Sequence, residues 1–271
     1  MATSLTVEHP AWTAAADGRL VRLVNSGTGR WLATWTADDG LNLACVTGTE
    51  DAKPKVPATT AADLPPLTPR QLAQALAGLG TVQRLANPWL WDALTTAILR
   101  QVVRAGQARI LYQRWCSTHG QTLATPAGTF ATAPGPEAVL KLPDEAFKSV
   151  GAAFHRTALQ AAAAAYLWHG ESVWTALPAA DLVRTLDEIP RIGPWTAAAA
   201  ACDFTGQFDL YPHGDLAVRT WAAKAAPDVN WPGNDKVFAA EWKCLATSAR
   251  QLHALTLLTL SWGSHVLTPH G

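Results

Sequence analysis

The five residues Ile189-Pro190-Arg191-Ile192-Gly193 are followed at once by Pro194, in a setting that reads as a helix start. Proline at the first helical position removes only a donor that the helix does not use, and its ring presets φ. An apolar-Pro-x-apolar-Gly run between two helical stretches predicts a tight hairpin, with Ile189 and Ile192 plugging the gap between the helices. Gly193 leaves the backbone bare there. The N–H groups of the next helix can then approach an anion, and a phosphate suits such a place through hydrogen bonds and the helix dipole. An ordinary αα-hairpin is the competing reading of the same residues. Asp215 stands before a second apolar-periodic stretch, 216–226, which stops at Pro227. It is a natural N-cap. A carboxylate in that position is favoured in its charged form by the dipole and by local N–H donors.

These residues need elements to hold them. Residues 11–47 contain short runs rich in Val, Leu, Trp and Thr at 20–24, 30–35 and 41–46, separated by turns at 25–29 and 38–40. That is the spacing of a meander. Partial alternation through Arg22, Arg30 and Thr34 predicts a sheet covered on one face. Residues 51–69 carry five prolines and read as an extended linker or crossing segment. From residue 68 the pattern turns helical. Helices are expected over 69–79, over 89–112 with a break near 104–106, and over 143–151 and 154–169. Five more follow over 178–187, 194–204, 215–226, 234–246 and 248–262, while 122–136 reads as loop. The expected fold is mostly α. A small antiparallel β segment with its Pro-rich linker, 1–66, precedes a helical domain, 67–271.

Bulk composition narrows the function. The 271 residues are 49% hydrophobic and 15% charged, with 21 Lys plus Arg against 21 Asp plus Glu. A disordered charged chain is excluded, and so is nucleic-acid binding driven by bulk positive charge. Thirteen Trp against six Phe and three Tyr require most of the indoles to be core. Cys45, Cys116, Cys202 and Cys244 form no CxxC pair, so they suggest buried thiols in a reducing compartment and no metal site. Residues 1–10 lack the basic and apolar regions of a secretory signal, and no stretch offers about 20 membrane-grade residues. A cytoplasmic protein that does not enter a membrane is expected.

Three blocks carry a resemblance. The first is Asn87-Pro-Trp-Leu-Trp-Asp-Ala-Leu-Thr-Thr-Ala-Ile-Leu-Arg-Gln101. The second is the hairpin with Pro194-Trp195-Thr196-Ala197, and the third is Tyr211-Pro-His-Gly-Asp215-Leu-Ala-Val-Arg219. Together they resemble the helix-hairpin-helix DNA glycosylase superfamily, most closely the 3-methyladenine DNA glycosylase II family. The Ile-Leu-x-Gln run looks like that family's first core helix. Asp215 follows Gly193 by 22 residues, the spacing the family uses. The likeness covers about residues 70–265, and 11–47 is similar to a shortened form of the family's N-terminal β domain.

The resemblance implies a monofunctional DNA glycosylase of base excision repair. Such an enzyme bends double-stranded DNA carrying a damaged base, flips the nucleotide and hydrolyses its N-glycosidic bond, leaving an abasic site. Asp215 would be the catalytic residue, stabilising an oxocarbenium-like sugar and orienting water toward C1′. A carboxylate in that role suits bases that leave without protonation, N-alkylated purines above all. Trp195 would stack on the flipped base, with a core indole as its alternative; a cationic purine over an indole gains about 0.5–2 kcal/mol. Trp89 and Tyr211 are further pocket candidates, for which core packing competes. Gln101 and Val102 would plug or wedge the gap left by the nucleotide, and for Val102 a core position is the rival reading. Pro190, Arg191, Ile192 and Gly193 would meet DNA through the hairpin. Arg191, Arg219 and Arg250 would contact phosphates, against plain solvated arginines. His213 would contact sugar or phosphate, against a structural role.

Departures from the family sharpen the expectation. Val102, Val103 and Arg104 stand where relatives often have a second Gln or a Leu, then Ser. Bifunctional relatives place a nucleophilic Lys two positions beyond the hairpin Gly. Here that position is Trp195, so no Schiff-base lyase route is expected. The endonuclease III type carries four clustered C-terminal cysteines, and this chain has only Cys244 near there, so no iron–sulfur cluster is expected. No redox cofactor is needed, although relatives hold a monovalent cation at the hairpin carbonyls. A nucleoid-associated monomer is implied. Two other functions compete: a glycosylase for deaminated or oxidised bases, and a noncatalytic hairpin protein that binds damaged DNA. A helical protein unrelated to DNA is the remaining possibility.

Overall fold

The Val-, Leu- and Trp-rich runs near the N-terminus pair as an antiparallel meander in the computed structural model, which describes residues 3–50 and 52–266. After β1 (Thr3–Leu5) come β2 (Thr13–Ala14), β3 (Leu20–Ser26), β4 (Gly29–Thr36) and β5 (Gly40–Thr47), and the last four form one sheet in that order. Ser26 pairs with Gly29, so β3 and β4 are joined by a two-residue turn, and Gly27 takes its left-handed position at φ +56°. The Pro-rich stretch crosses the molecule and supplies β6 (Ala58–Thr60), which pairs antiparallel with β7 (Thr81–Gln83). Strand β1 pairs parallel with the other side of β7. The first described residues are thereby hydrogen-bonded to the segment that leads into the helices.

The meander is covered on both faces, not one. Trp12, Val24, Trp31 and Ala33 pack with Leu5 and Leu85. Val21, Leu23 and Leu32 pack on the opposite face against Leu123, Ala127 and Phe130. That second cover is a hairpin, β8 (Thr122–Thr125) and β9 (Gly128–Ala131), in a stretch whose composition predicts loop. Its strands are too short and too rich in Thr and Gly to show an apolar period. The cross-strand pair Leu123 and Phe130, docked on the sheet, is what orders them.

The helices are α1 (Arg70–Ala77), α2 (Leu90–Leu99), α3 (Ala105–His119), α4 (Pro136–Lys141), α5 (Asp144–Ser149) and α6 (Arg156–Ala165). They continue with α7 (Glu171–Val173), α8 (Ala179–Asp187), α9 (Pro194–Thr205), α10 (Leu216–Ala225), α11 (Asp235–Cys244) and α12 (Ala249–Val266). The stretch expected as one helix over 154–169 opens with a 3-10 turn at Ala153–His155 and closes with a π turn at Tyr166–Gly170. Residues 267–271, which the expected helical domain includes, lie outside the described residues. Every residue of α2 is buried, as its near-continuous apolar run requires. It packs on α9, where Ala197 to Ala201 let the two backbones come close. Each fully buried Leu of this core contributes about 1.5–3 kcal/mol. Trp12, Trp31, Trp91, Trp115, Trp174 and Trp242 are core, while Trp168 is exposed. No helix among the described residues is long and apolar enough to cross a membrane.

A buried polar cluster joins the sheet to the helices. Asp92, in the first turn of α2, accepts from Tyr112 Oη at 2.7 Å and from Asn87 Nδ2 at 2.9 Å, with Arg22 at 3.7 Å. Arg84 donates to Glu8 at 2.6 Å and to Asp203 at 2.5 Å. Burial alone would raise the Asp203 carboxyl, but His9, Arg84 and Arg22 outweigh it and hold the group down at about 2. Such a network fixes one docking register more than it adds stability.

Candidate active site

The hairpin between α8 and α9 is a turn closed by Ile192 N–H donating to the Ile189 carbonyl at 2.9 Å. Pro190 occupies its second position and Arg191 its third, at φ +69°, as a type II turn demands. A glycine or asparagine is usual there, so Arg191 carries backbone strain. Gly193 has extended dihedrals, φ −100° and ψ 176°, and a Cβ on it would meet nothing within 4 Å. The left-handed residue of the hairpin is therefore Arg191, and Gly193 serves to keep the entrance to α9 bare. No side chain caps α9, which leaves its first-turn N–H groups open to an anion. Ile189 and Ile192 are buried between the helices, while Pro190 and Arg191 are exposed. The side chain of Ile192 is thus not available to a ligand.

Gln101 ties a second loop to this hairpin. Its amide donates to the Arg191 carbonyl at 3.1 Å and to Thr196 Oγ1 at 2.9 Å, so it braces the hairpin instead of projecting as a plug. The next residue, Val102, is 88% exposed at φ +61°. The core reading of Val102 is overturned. A β-branched residue in the left-handed region is strained, and here its side chain stands free of the fold. His155 Nε2 donates to the Gln101 carbonyl at 3.2 Å, and its neighbour Phe154 is 69% exposed. Two apolar side chains thus project from adjoining loops. Sequence reasoning missed Phe154 because it looks like an ordinary residue of a helix start.

Asp215 caps α10, its Oδ1 accepting the Ala217 N–H at 2.8 Å. Its Oδ2 accepts two more bonds, from Trp195 Nε1–H at 2.7 Å and from Tyr211 Oη–H at 2.9 Å. Trp195 comes from the first turn of α9, so the hairpin helix holds the carboxylate directly. Burial and the adjoining Asp215 push the Tyr211 hydroxyl well up, which keeps it a donor. Gly214 lies so close to the start of α11 that a Cβ would come within 2.8 Å of the Asp235 carbonyl. Arg219 donates to the carbonyls of Gly214 at 3.2 Å and Gly233 at 2.9 Å; it braces this turn and is not a free phosphate ligand. His213 is buried, and desolvation followed by Lys243 lowers it to about 4. Its ring is packed inside the fold, which does not favour the surface contact expected of it.

Next to Asp215's partners opens a cavity of about 730 Å³, lined by Tyr211, Ala217, Trp221 and Arg100, and by Glu8 and Arg84 from the sheet side. Its size suits a small organic ligand. Arg100 lies 5.6 Å over the centroid of the Trp195 ring. Trp221 is a further residue that sequence reasoning missed. It is seated on Gly263 of α12, where a Cβ would fall 2.3 Å from the indole, and nothing in a chain of thirteen Trp marks it out. Trp89 does not join this site. It lines a different cavity of about 560 Å³ with Tyr166, Trp168 and His169. Arg250 does not join it either, being ion-paired with Asp63 at 2.7 Å.

No family model matches the chain. No curated protein sequence matches it either. Solved structures do. The 3-methyladenine DNA glycosylase of Archaeoglobus fulgidus superposes with a TM-score of 0.69 at 14% identity, over 97% of this chain and 92% of that one. The Clostridium acetobutylicum 8-oxoguanine glycosylase/lyase in complex with double-stranded DNA gives 0.66 at 13% identity, over 96% and 90%. A DNA-3-methyladenine glycosidase from Bacillus halodurans gives 0.54 at 17% identity, over 79% and 95%. At such identities the likeness is one of fold: this chain has the fold of the helix-hairpin-helix DNA glycosylases.

Proposed function

We propose that the protein is a monofunctional DNA glycosylase that flips a damaged nucleotide out of double-stranded DNA and hydrolyses its N-glycosidic bond. The observation that carries the proposal is the Asp215 carboxylate, fixed by three donors from α9, α10 and the turn between them beside a cavity of base-accommodating size. A carboxylate offers about four acceptor sites. Three are engaged, which leaves one on Oδ1 for a water or for the face of a developing sugar cation. As the C1′–N bond lengthens, its electron pair passes to the base and positive charge grows on the sugar. The fixed anion stabilises that charge without reorganising. Water then adds to C1′ and loses a proton. Trp195 stands two residues beyond Gly193 with its indole N–H on Asp215. No amine occupies that position to form a Schiff base, which supports hydrolysis without strand cleavage.

Binding follows from the same parts. The bare N-terminus of α9 suits one phosphate, and exposed Arg191 and Arg104 suit others. The backbone carbonyls of 189–192 are where a monovalent cation would bridge to phosphate, the Arg191 carbonyl already accepting from Gln101. Val102 and Phe154 would fill the gap left by the flipped nucleotide. With a net charge of zero, nonspecific affinity would be weak, and the protein would act as a monomer in the cytoplasm on the nucleoid. Two lesion classes fit Asp215. N-alkylated purines need no proton to leave. A neutral deaminated or oxidised base is favoured instead by Arg100, whose fixed positive charge lines the cavity.

The test is base release from duplexes that each carry one modified base, read by alkaline cleavage at the resulting abasic site. Asp215→Asn keeps the N-cap and removes the charge, and release should drop roughly 10²–10³-fold, as when one preorganised transition-state group is lost. An Asn variant with full activity would remove the mechanism.

A further inference from the structure

Three arginines line the cavity beside Asp215, and two of them are committed within the fold. Arg84 donates to Glu8 and Asp203. Arg109 donates to the carbonyls of Val7 and Trp12. Arg100 differs. Among the described residues its guanidinium makes no hydrogen bond and no ion pair; it lies over the face of Trp195, close enough to Tyr211 and Asp215 to feel their charge. Asp215 attracts it through space without a hydrogen bond, since that carboxylate is held by Trp195, Tyr211 and Ala217, so the N–H groups of Arg100 stay open to a ligand. The backbone of Arg100 is fixed at the end of α2, its N–H bonded to the carbonyls of Ala97 and Ile98. A rigidly based planar fork of donors, laid on an aromatic ring and facing a cavity, is suited to acceptor atoms supplied by a ligand.

We infer that Arg100 is the specificity-determining residue of this cavity: it donates to the oxygen or ring-nitrogen acceptors of a neutral, oxygen-bearing purine and rejects a cationic alkylated one. The inference rests on the glycosylase reading and names its substrate class. When a neutral purine leaves, the C1′–N9 electron pair passes to the base, which develops negative charge. Arg100 stabilises that charge while the water oxygen bonds to C1′ and the proton released ends on the departing base. An alkylated purinium leaves as a neutral molecule, so it gains nothing from Arg100. In the bound state its positive charge sits instead against a like charge.

Duplexes carrying a single hypoxanthine, 8-oxoguanine or 7-methylguanine decide the matter in single-turnover assays with the parent protein, Arg100→Gln and Arg100→Lys. The parent should release at least one neutral base at least tenfold faster than 7-methylguanine, because a site built to hydrogen-bond its ligand discriminates strongly against one that cannot reciprocate. Arg100→Gln should shift that ratio toward 7-methylguanine by at least tenfold, and Arg100→Lys should restore part of it. Affinity for a duplex bearing a tetrahydrofuran abasic analogue reports that each variant is folded. A parent that prefers 7-methylguanine overturns the inference without recourse to any variant. So does an Arg100→Gln protein that slows every base equally. A parent that releases no base from any duplex brings down the glycosylase reading itself, an outcome distinct from a wrong assignment of Arg100.

Discussion

The indole N–H of Trp195 and the carboxylate of Asp215 are joined by a 2.7 Å hydrogen bond across 20 residues of sequence. It locks the first turn of the hairpin helix to the cap of α10, and Tyr211 reaches the same oxygen at 2.9 Å. Whatever orients the hairpin helix therefore also aims the carboxylate. Hydrogen bonds to charged groups contribute about 1.5–3 kcal/mol. Trp195→Phe and Tyr211→Phe should each lower the rate of base release about 10- to 100-fold, at about 1.4 kcal/mol per tenfold, and should leave duplex affinity nearly intact. With one donor left, Oδ2 is still partly held. The double variant should accordingly lose more than the product of the single losses, a coupling that a double-mutant cycle reads directly. Independent, multiplicative losses would show that the two donors do not position a common group.

Gly193 separates fold from binding. Its dihedrals are ordinary and no atom stands within 4 Å of its missing Cβ, so Gly193→Ala should fold and melt like the parent. The new methyl would sit at the open entrance to α9, between the backbone donors and any phosphate. Duplex affinity measured at fixed salt should weaken by roughly tenfold, the scale of one charge-assisted hydrogen bond. Undiminished affinity would move the phosphate away from this helix terminus.

Val102 offers the opposite signature, a gain in stability with a loss of function. A left-handed β-branched residue costs on the order of 1–3 kcal/mol, and Val102 has no packing to offset it at 88% exposure. Val102→Gly should raise the unfolding free energy by about 1 kcal/mol in urea titrations, while weakening the preference for lesion-bearing over intact duplex. Phe154→Ala should weaken that preference too. A destabilised Val102→Gly would mean that the side chain packs against the fold after all.

Much of this site is legible in the sequence because its signals are local. Pro194 after a short Gly-ended run marks the hairpin, and Asp215 before an apolar period marks a cap. Both work through neighbours within a few residues. Arg100, Trp221 and Phe154 are different, since each acquires its meaning from a partner distant in sequence: the Trp195 ring, the bare backbone of Gly263, and the loop at Val102. Arg22 reads as an outward residue of an alternating strand, yet it is buried against Asp92 of α2. The β8–β9 hairpin was hidden for the same reason. Its order comes from the sheet it covers, and its own eight residues carry no period that would announce it.

Four buried or half-buried histidines set the acid limit of the fold. His9, His155, His213 and His253 are all lowered, each by burial first, and His213 reaches about 4. In the unfolded chain these groups protonate near 6.5. As pH falls through 6.5 the unfolded state therefore takes up protons before the folded state does, and stability declines. For His213 the decline runs from about 6.5 to about 4 and then levels, a span worth about 3 kcal/mol at 1.36 kcal/mol per unit. Asp203 adds a second decline only below the unfolded carboxyl value of 3.8, running down to about 2. Urea titrations at pH 7.5, 6.0 and 4.5 should show a progressive loss, and His213→Gln should flatten the slope between the last two. A stability that stays level from pH 7.5 to 4.5 would mean that these imidazoles take up protons without leaving the folded state.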